Sequence, residues 1–105
     1  MKNKVLALLG FAAKANKLSY GMNMTVSAIK SKKSKLALCS FEISDKSRKE
    51  INFFSNKYGV QMLPLNDCGI EEISTALGKR CGIVSVNDTQ FATALVREIA
   101  EGGNI

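Results

Sequence analysis

Histidine is absent from the 105 residues. That removes Ser-His-Asp and Cys-His catalysis together with the histidine-based metal motifs. Cysteine is sparse. Cys39, Cys68 and Cys81 form an odd set with no Cys-x-x-Cys, which argues against a disulfide framework and a structural zinc site. Cys39 stands in an apolar run and reads as a buried, inert thiol. A single proline and the lack of any low-complexity tract point to a compact fold rather than a disordered binder. No apolar stretch approaches the roughly 20 residues that span a bilayer. The apolar run 5–13 follows Lys2 and Lys4 and leads into Ala13-Lys14-Ala15, the form of a secretory leader. It is short for one, and a lysine stands inside the would-be cleavage motif. It also places Val5, Leu8, Leu9, Ala12 and Ala13 on one helical face, so a helix of a cytoplasmic protein is expected.

The most telling absence is of one sign of charge. Residues 1–35 contain no Asp or Glu but eight lysines, Lys2, Lys4, Lys14, Lys17, Lys30, Lys32, Lys33 and Lys35. The rest of the chain has seven basic and nine acidic residues, so the overall +6 comes from the first third. A one-signed patch attracts polyanions, and neutralising phosphates releases counterions. A solubilising lysine surface would give the same count, and charge alone does not separate the two.

Catalytic and cofactor signatures are missing as well. No Gly-x-Gly-x-x-Gly follows a strand. Leu77-Gly78-Lys79-Arg80 lacks the upstream glycine and the Ser/Thr of a phosphate loop, and reads as a helix stop followed by a basic loop. Glu71-Glu72 fall at a helix start, where carboxylates favour the macrodipole. No enzyme activity, cofactor or metal is expected.

What is present is an alternation of helices and short apolar strands in a chain of one-domain length. Asn3 caps a first helix to about Lys14, and 15–20 is a connection with a short strand at 18–20. Gly21 opens a second helix that ends in Ser31-Lys32-Lys33-Ser34. The run 35–40 suits a strand buried on both faces. Ser44 and Asp45 start a third helix, with Ser47, Ile51, Phe54 and Tyr58 on one side and Gly59 as its stop. Residues 60–63 read as a strand. Asn66-Asp67 caps a fourth helix through Ile70, Ile73, Ala76 and Leu77, ended by Gly78. Residues 83–86 are a strand, and Asp88 caps a last helix carrying Phe91, Leu95 and Ile99. Residues 1–100 form the single domain and 101–105 a flexible end. The economical architecture is α/β, a small central sheet with helices on both faces.

One constellation lies inside the acid-free region. A helix start presents unpaired N–H groups and a partial positive charge. At Gly21-Met22-Asn23-Met24 the glycine allows close approach of another backbone. Asn23 offers both a donor and an acceptor, as reading a base edge requires. Lys17, Lys30, Lys32 and Lys33 are candidates for phosphate contacts. The competing reading is that Gly21 caps a helix and Asn23 is only a polar first-turn residue.

The segment Gly21-Met22-Asn23-Met24-Thr25-Val26-Ser27-Ala28-Ile29-Lys30 resembles the Gly-x-Asn-Glu-Val/Thr-x-Lys-Ala-Ile element of the ribosomal L-seven-Ae/L-thirty-e family, whose members bind kink-turn RNA. The resemblance continues through Lys35-Leu36-Ala37-Leu38-Cys39, Tyr58-Gly59-Val60-Gln61-Met62 and Ile73-Ser74-Thr75-Ala76-Leu77-Gly78. Ile83-Val84-Ser85-Val86-Asn87-Asp88 and Phe91-Ala92 look like the bacterial YlxQ-like branch. The resemblance implies a three-layer α-β-α sandwich with a mixed sheet of about four strands. It also implies that RNA meets the start of the second helix and the loop Lys79-Arg80-Cys81-Gly82. Asn23 would then read the guanine edges of sheared G·A pairs, with Gly21 giving close approach. The family's acidic residue after Asn is Met24 here, and its following lysine is Ser27. Losing both removes charge-assisted hydrogen bonds, so an altered kink-turn preference is expected. The expected partner is structured RNA, kink-turn-like or ribosomal, or the ribosome itself. The chain is expected to act as a monomer and away from membranes. The alternative is a protein-interaction adaptor that kept the fold and lost the RNA site, with Met22 and Met24 exposed as its adaptable contacts.

Overall fold

Two uncharged apolar runs, Leu36–Ser40 (β2) and Ile83–Val86 (β4), are buried along their whole length and lie side by side at the centre of one sheet. A computed structural model describes residues 2–103. Leu18–Tyr20 (β1) pairs antiparallel with the outer side of β4, and Met62–Leu65 (β3) pairs parallel with the outer side of β2. The sheet is therefore mixed, in the order β1-β4-β2-β3. The helices are Lys2–Lys14 (α1), Gly21–Lys30 (α2), Asp45–Tyr58 (α3), Ile70–Leu77 (α4) and Thr89–Gly103 (α5).

Alternation along the strands divides the core in two. Leu36, Leu38, Val84 and Val86 face α1, α4 and α5, packing with Val5, Leu9, Ile73, Leu77 and Leu95. Ala37, Cys39 and Ile83 face α2 and α3, packing with Ile29 and Ile51. This is the expected three-layer α-β-α sandwich. The apolar face of the run 5–13 is spent in the first of these layers: Val5, Leu9 and Ala12 are buried in α1.

Several boundaries differ from the sequence reading, each for a local reason. α1 already includes Lys2, whose ammonium lies 2.5 Å from Glu72 on α4, so Asn3 is inside the first turn and does not cap it. β3 begins at Met62, two residues later than expected. Gly59 is left-handed and Val60 N–H closes the end of α3 on the Ser55 carbonyl, so Val60 belongs to the helix cap. The lone proline, Pro64, sits on this edge strand, where the missing N–H is tolerated. α4 is not capped by Asn66-Asp67. Gly69 is its N-cap, Glu72 accepts the Gly69 N–H at 3.2 Å, and Glu42 accepts the Ile70 N–H at 2.7 Å. By contrast Asp88 caps α5 as expected, accepting the Phe91 N–H at 2.9 Å. Of the end at 101–105, α5 carries through residue 103, and 104–105 lie outside the described residues.

Candidate nucleic-acid interface

β1 and β2 run in the same direction, and α2 returns between them. The sheet therefore has two rims with different chemistry. The near rim holds the ends of β1 and β2, the start of β4 and the start of α2. The far rim holds the starts of β1 and β2, the end of β4 and the end of α2.

At the near rim Tyr20 is extended, with φ −115° and ψ 135°, and its side chain does not cap α2. The first turn has no acidic residue. Gly21 follows with φ +82°, a conformation that disfavours any side chain. A Cβ placed on Gly21 would meet nothing within 4 Å, so the ground beside the helix start is open. Asn23, Met24 and Ser27 are exposed on the outer side of the first turns. Met22 is not: it is half-buried against the α2–α3 core cluster. The result is a partial positive charge and a set of N–H groups without side-chain partners, beside an outward-facing amide.

The loop after α4 reaches the same rim. Lys79 Nζ lies 4.7 Å above the centroid of the Tyr20 ring, which joins the loop to the residue preceding α2. Arg80 is held 2.5 Å from Glu71, with both side chains mostly in water, so the pair is screened and exchangeable. Cys81 and Gly82 face inward. The Cys81 thiol is buried, and burial raises its pKa. The Ser74 hydroxyl accepts the Cys81 N–H at 3.1 Å and lies 3.3 Å from the Cys81 carbonyl as its donor. The Gly82 carbonyl accepts the Ser40 N–H at 2.8 Å. Of the four loop residues, only Lys79 and Arg80 present side chains outward.

The four lysines read as phosphate contacts are not at this rim. Lys30 ends α2, about 13 Å along the helix from Gly21 at 1.5 Å per residue. Lys32 and Lys33 continue into the far-rim turn, and Lys35 N–H donates to the Val86 carbonyl there. The Lys17 carbonyl accepts the Asn87 N–H, also at the far rim. The acid-free third is thus one segment in sequence but two places in the fold. The near rim holds Lys79 and Arg80 along with Glu42, Glu71 and Glu72, with Lys2 paired to Glu72 and Arg48 donating to the Phe41 carbonyl, whereas Lys17, Lys30, Lys32, Lys33 and Lys35 sit opposite.

Two near-rim aromatics escaped the sequence reading. Phe41 directly follows the buried strand β2 and is 47% exposed. Its signal was an aromatic side chain outside both the strand and helix periods. Phe11 is 60% exposed and, with Lys14, Tyr20 and Lys79, lines an open groove of about 640 Å³ between α1 and the end of α4. Among the described residues no three His, Cys, Asp or Glu side chains converge as a metal site, and no helix is long and apolar enough to cross a membrane.

Comparison with known proteins places this arrangement among relatives. The model of the ribosomal protein L7Ae/L30e/S12e/Gadd45 family matches residues 3–96. RNA-binding protein YlxQ of Enterococcus faecium is 28% identical over 101 residues, covering 96% of this chain and 95% of that protein. A protein of unknown function from Bacillus halodurans superposes with a TM-score of 0.84 at 24% identity, over 90% of this chain and 94% of that one. The Giardia lamblia 15.5 kD RNA-binding protein superposes with a TM-score of 0.76 at 14% identity, over 96% and 85% of the two chains.

Proposed function

The chain belongs to the ribosomal protein L7Ae/L30e/S12e/Gadd45 family, and on that premise we propose that it is a non-catalytic protein of the cytoplasm that binds structured RNA, of the kink-turn or ribosomal kind, through the start of α2 and the Lys79–Arg80 loop. The observation that carries this reading is the uncapped, acid-free start of α2, with Gly21 left-handed and Asn23 exposed beside it. RNA backbone approaches over Gly21, where no side chain stands. Asn23 uses its amide on the edge of a guanine in a sheared G·A pair. Lys79 and Arg80 neutralise phosphates, and Phe41 offers a face for an unpaired base. The YlxQ relative, named as an RNA-binding protein, supports the same assignment.

Met24 and Ser27 set the specificity. Neither supplies the charge-assisted hydrogen bonds of a carboxylate and an ammonium, so discrimination for a standard kink-turn is weaker and rests more on Asn23. The test is a binding titration with a kink-turn RNA and with a copy whose G·A pairs are replaced by Watson–Crick pairs. Tighter binding to the first is expected, and equal affinity rules out kink-turn recognition. Asn23→Ala should cost roughly 1–3 kcal/mol on the kink-turn and little on the copy.

A second reading, a protein-interaction adaptor, draws on Met24, which is 59% exposed at the helix start. Salt separates the two. Phosphate-dominated binding falls steeply between about 50 and 200 mM salt, and docking on an apolar methionine does not.

A further inference from the structure

The far rim has its own aromatic and basic surface, on the C-terminal halves of α2 and α3. Phe53 is 59% exposed and meets Phe54 edge-to-face, with ring centroids 5.2 Å apart at 80°. Two ammonium–ring contacts touch the pair, and a third joins Lys57 to Tyr58 beside it. Lys30 Nζ stands 4.9 Å over Phe54, and Lys57 Nζ stands 5.9 Å from Phe53 and 5.7 Å from Tyr58. Lys32 and Lys33 continue the strip and are exposed, with Lys32 held at φ +65° by the turn that closes α2. The turn is tied by Lys32 N–H to the Ile29 carbonyl and Lys33 N–H to the Ala28 carbonyl. Neither 26–37 nor 51–58 contains an acidic residue. α2 and α3 pack side by side, so these residues share one face.

We infer that this face is a second RNA contact, one that takes an unpaired strand flanking the structured element held at the near rim. The inference rests on the RNA-binding reading above and extends it to a different surface. The exposed Phe53 ring gives a base a π-face to stack on, with the half-buried Phe54 and Tyr58 behind it, and stacking of this kind is tolerant of sequence. Stacking needs unpaired bases, because paired bases inside a duplex present only their edges. Lys30, Lys32, Lys33 and Lys57 provide the track for the phosphates, four cations against the one exposed carboxylate of Glu50, a turn before Phe53 on α3. The separation of the two rims matches this division of labour: a duplex feature at the helix start, and the strand leaving it at the opposite rim.

The test compares two RNAs on the full chain: a blunt-ended kink-turn stem, and the same stem with a tail of about twelve uridines. The wild type should bind the tailed RNA roughly tenfold more tightly. Phe53→Ala, and separately Lys32→Ser with Lys33→Ser, should abolish that gain and leave blunt-stem affinity unchanged. Asn23→Ala should weaken both RNAs equally and keep the gain. No gain in the wild type, or a gain that survives Phe53→Ala, overturns the inference. If neither stem binds, the near-rim reading fails on its own, and the far rim is then tested with the uridine oligomer alone on isotope-labelled protein. Amide shift changes centred on Phe53, Lys57 and Lys33 support the second contact, and their absence overturns it. All the substituted side chains are exposed, so the folds of the variants should match the wild type.

Discussion

Lys79 and Tyr20, 59 residues apart in sequence, meet at 4.7 Å with the lysine ammonium over the tyrosine ring. The contact brings the beginning of the loop after α4 to the start of α2, so both parts of the proposed interface are adjacent. At an exposed site such a contact is worth about 0.5–1 kcal/mol. Lys79→Ala should therefore lower stability by less than about 1 kcal/mol, read from the denaturant midpoint. If Lys79 also neutralises one phosphate, the same change should reduce the slope of log affinity against log salt by about 1. An unchanged slope would remove Lys79 from the interface and leave its role purely local.

Gly21 carries a sharper expectation. Its φ of +82° leaves open space around the missing side chain, so an added methyl meets a conformational penalty rather than a clash. Gly21→Ala should cost about 1–2 kcal/mol of stability. It should also weaken RNA binding beyond that loss, because the methyl would stand where the RNA backbone approaches. Equal binding by the folded variant, measured well below its unfolding midpoint, would place the RNA elsewhere.

Gly82 is the opposite case. A Cβ there would lie 3.0 Å from Ile70 Cγ1 and 3.1 Å from Ile43 Cγ2, so the obstacle is packing. Gly82→Ala should destabilise by about 1–3 kcal/mol through overpacking. Thermal unfolding reports the loss, and RNA affinity of the folded fraction should change little because Gly82 faces inward.

Much of this was legible in the sequence because it is local. The strand 36–40, the left-handed stops at Gly59 and Gly78 and the Asp88 cap depend on neighbours a few residues away. The α4 cap was only half legible: Glu72 accepts the Gly69 N–H from three residues away, but the acceptor for the Ile70 N–H is Glu42, 28 residues earlier and across a strand. The site was half legible for a related reason. Gly21 and Asn23 belong to one helix start, whereas Lys30, Lys32 and Lys33 are close to it in sequence and carried to the other rim by a helix of about 15 Å. Contiguous charge in a sequence is not a contiguous patch when a helix runs the length of the sheet between its ends. Of the far-rim rings, Phe54 and Tyr58 were read as the inner face of α3 and Phe53 was not read at all. Phe53 and Phe54 are consecutive, so they cannot share one buried stripe, and Phe53 is the one left outside.

The three thiols give a pH prediction with a definite sign. Burial pushes the Cys68 thiol up to about 11, and the neighbouring Asp67 carboxylate adds to the rise. Cys39 and Cys81 are raised in the same direction by burial. A free thiol ionises near 8.5. The folded state therefore disfavours the thiolate, and the stability linked to it is present below about pH 8.5 and is lost as pH rises toward about 11. Thermal midpoints should hold steady through neutral pH and fall above it. Alkylation by iodoacetamide at pH 8 should be slow for the folded protein and fast in denaturant. Rapid labelling of the folded chain at any of the three positions would contradict their burial.

The pair Met24 and Ser27 allows the specificity argument to be run in reverse. Both side chains are exposed, so replacing them disturbs no core contact. Met24→Glu puts a carboxylate in the first turn of α2, which has none, and a negative charge there favours the helix by about 0.3–1 kcal/mol. Ser27→Lys adds an ammonium on the same outer side of α2. Each can form a charge-assisted hydrogen bond to RNA. Together they should tighten binding to a kink-turn, while a copy with Watson–Crick pairs gains only the general phosphate attraction of one extra lysine, offset by the added carboxylate. The ratio of the two affinities is therefore the quantity to measure, at fixed salt. A ratio that rises above the wild-type value assigns the weakened preference to these two positions. A ratio that stays the same while thermal stability increases means that the start of α2 is not what reads the RNA, because the helix would have gained the charge and the complex would not.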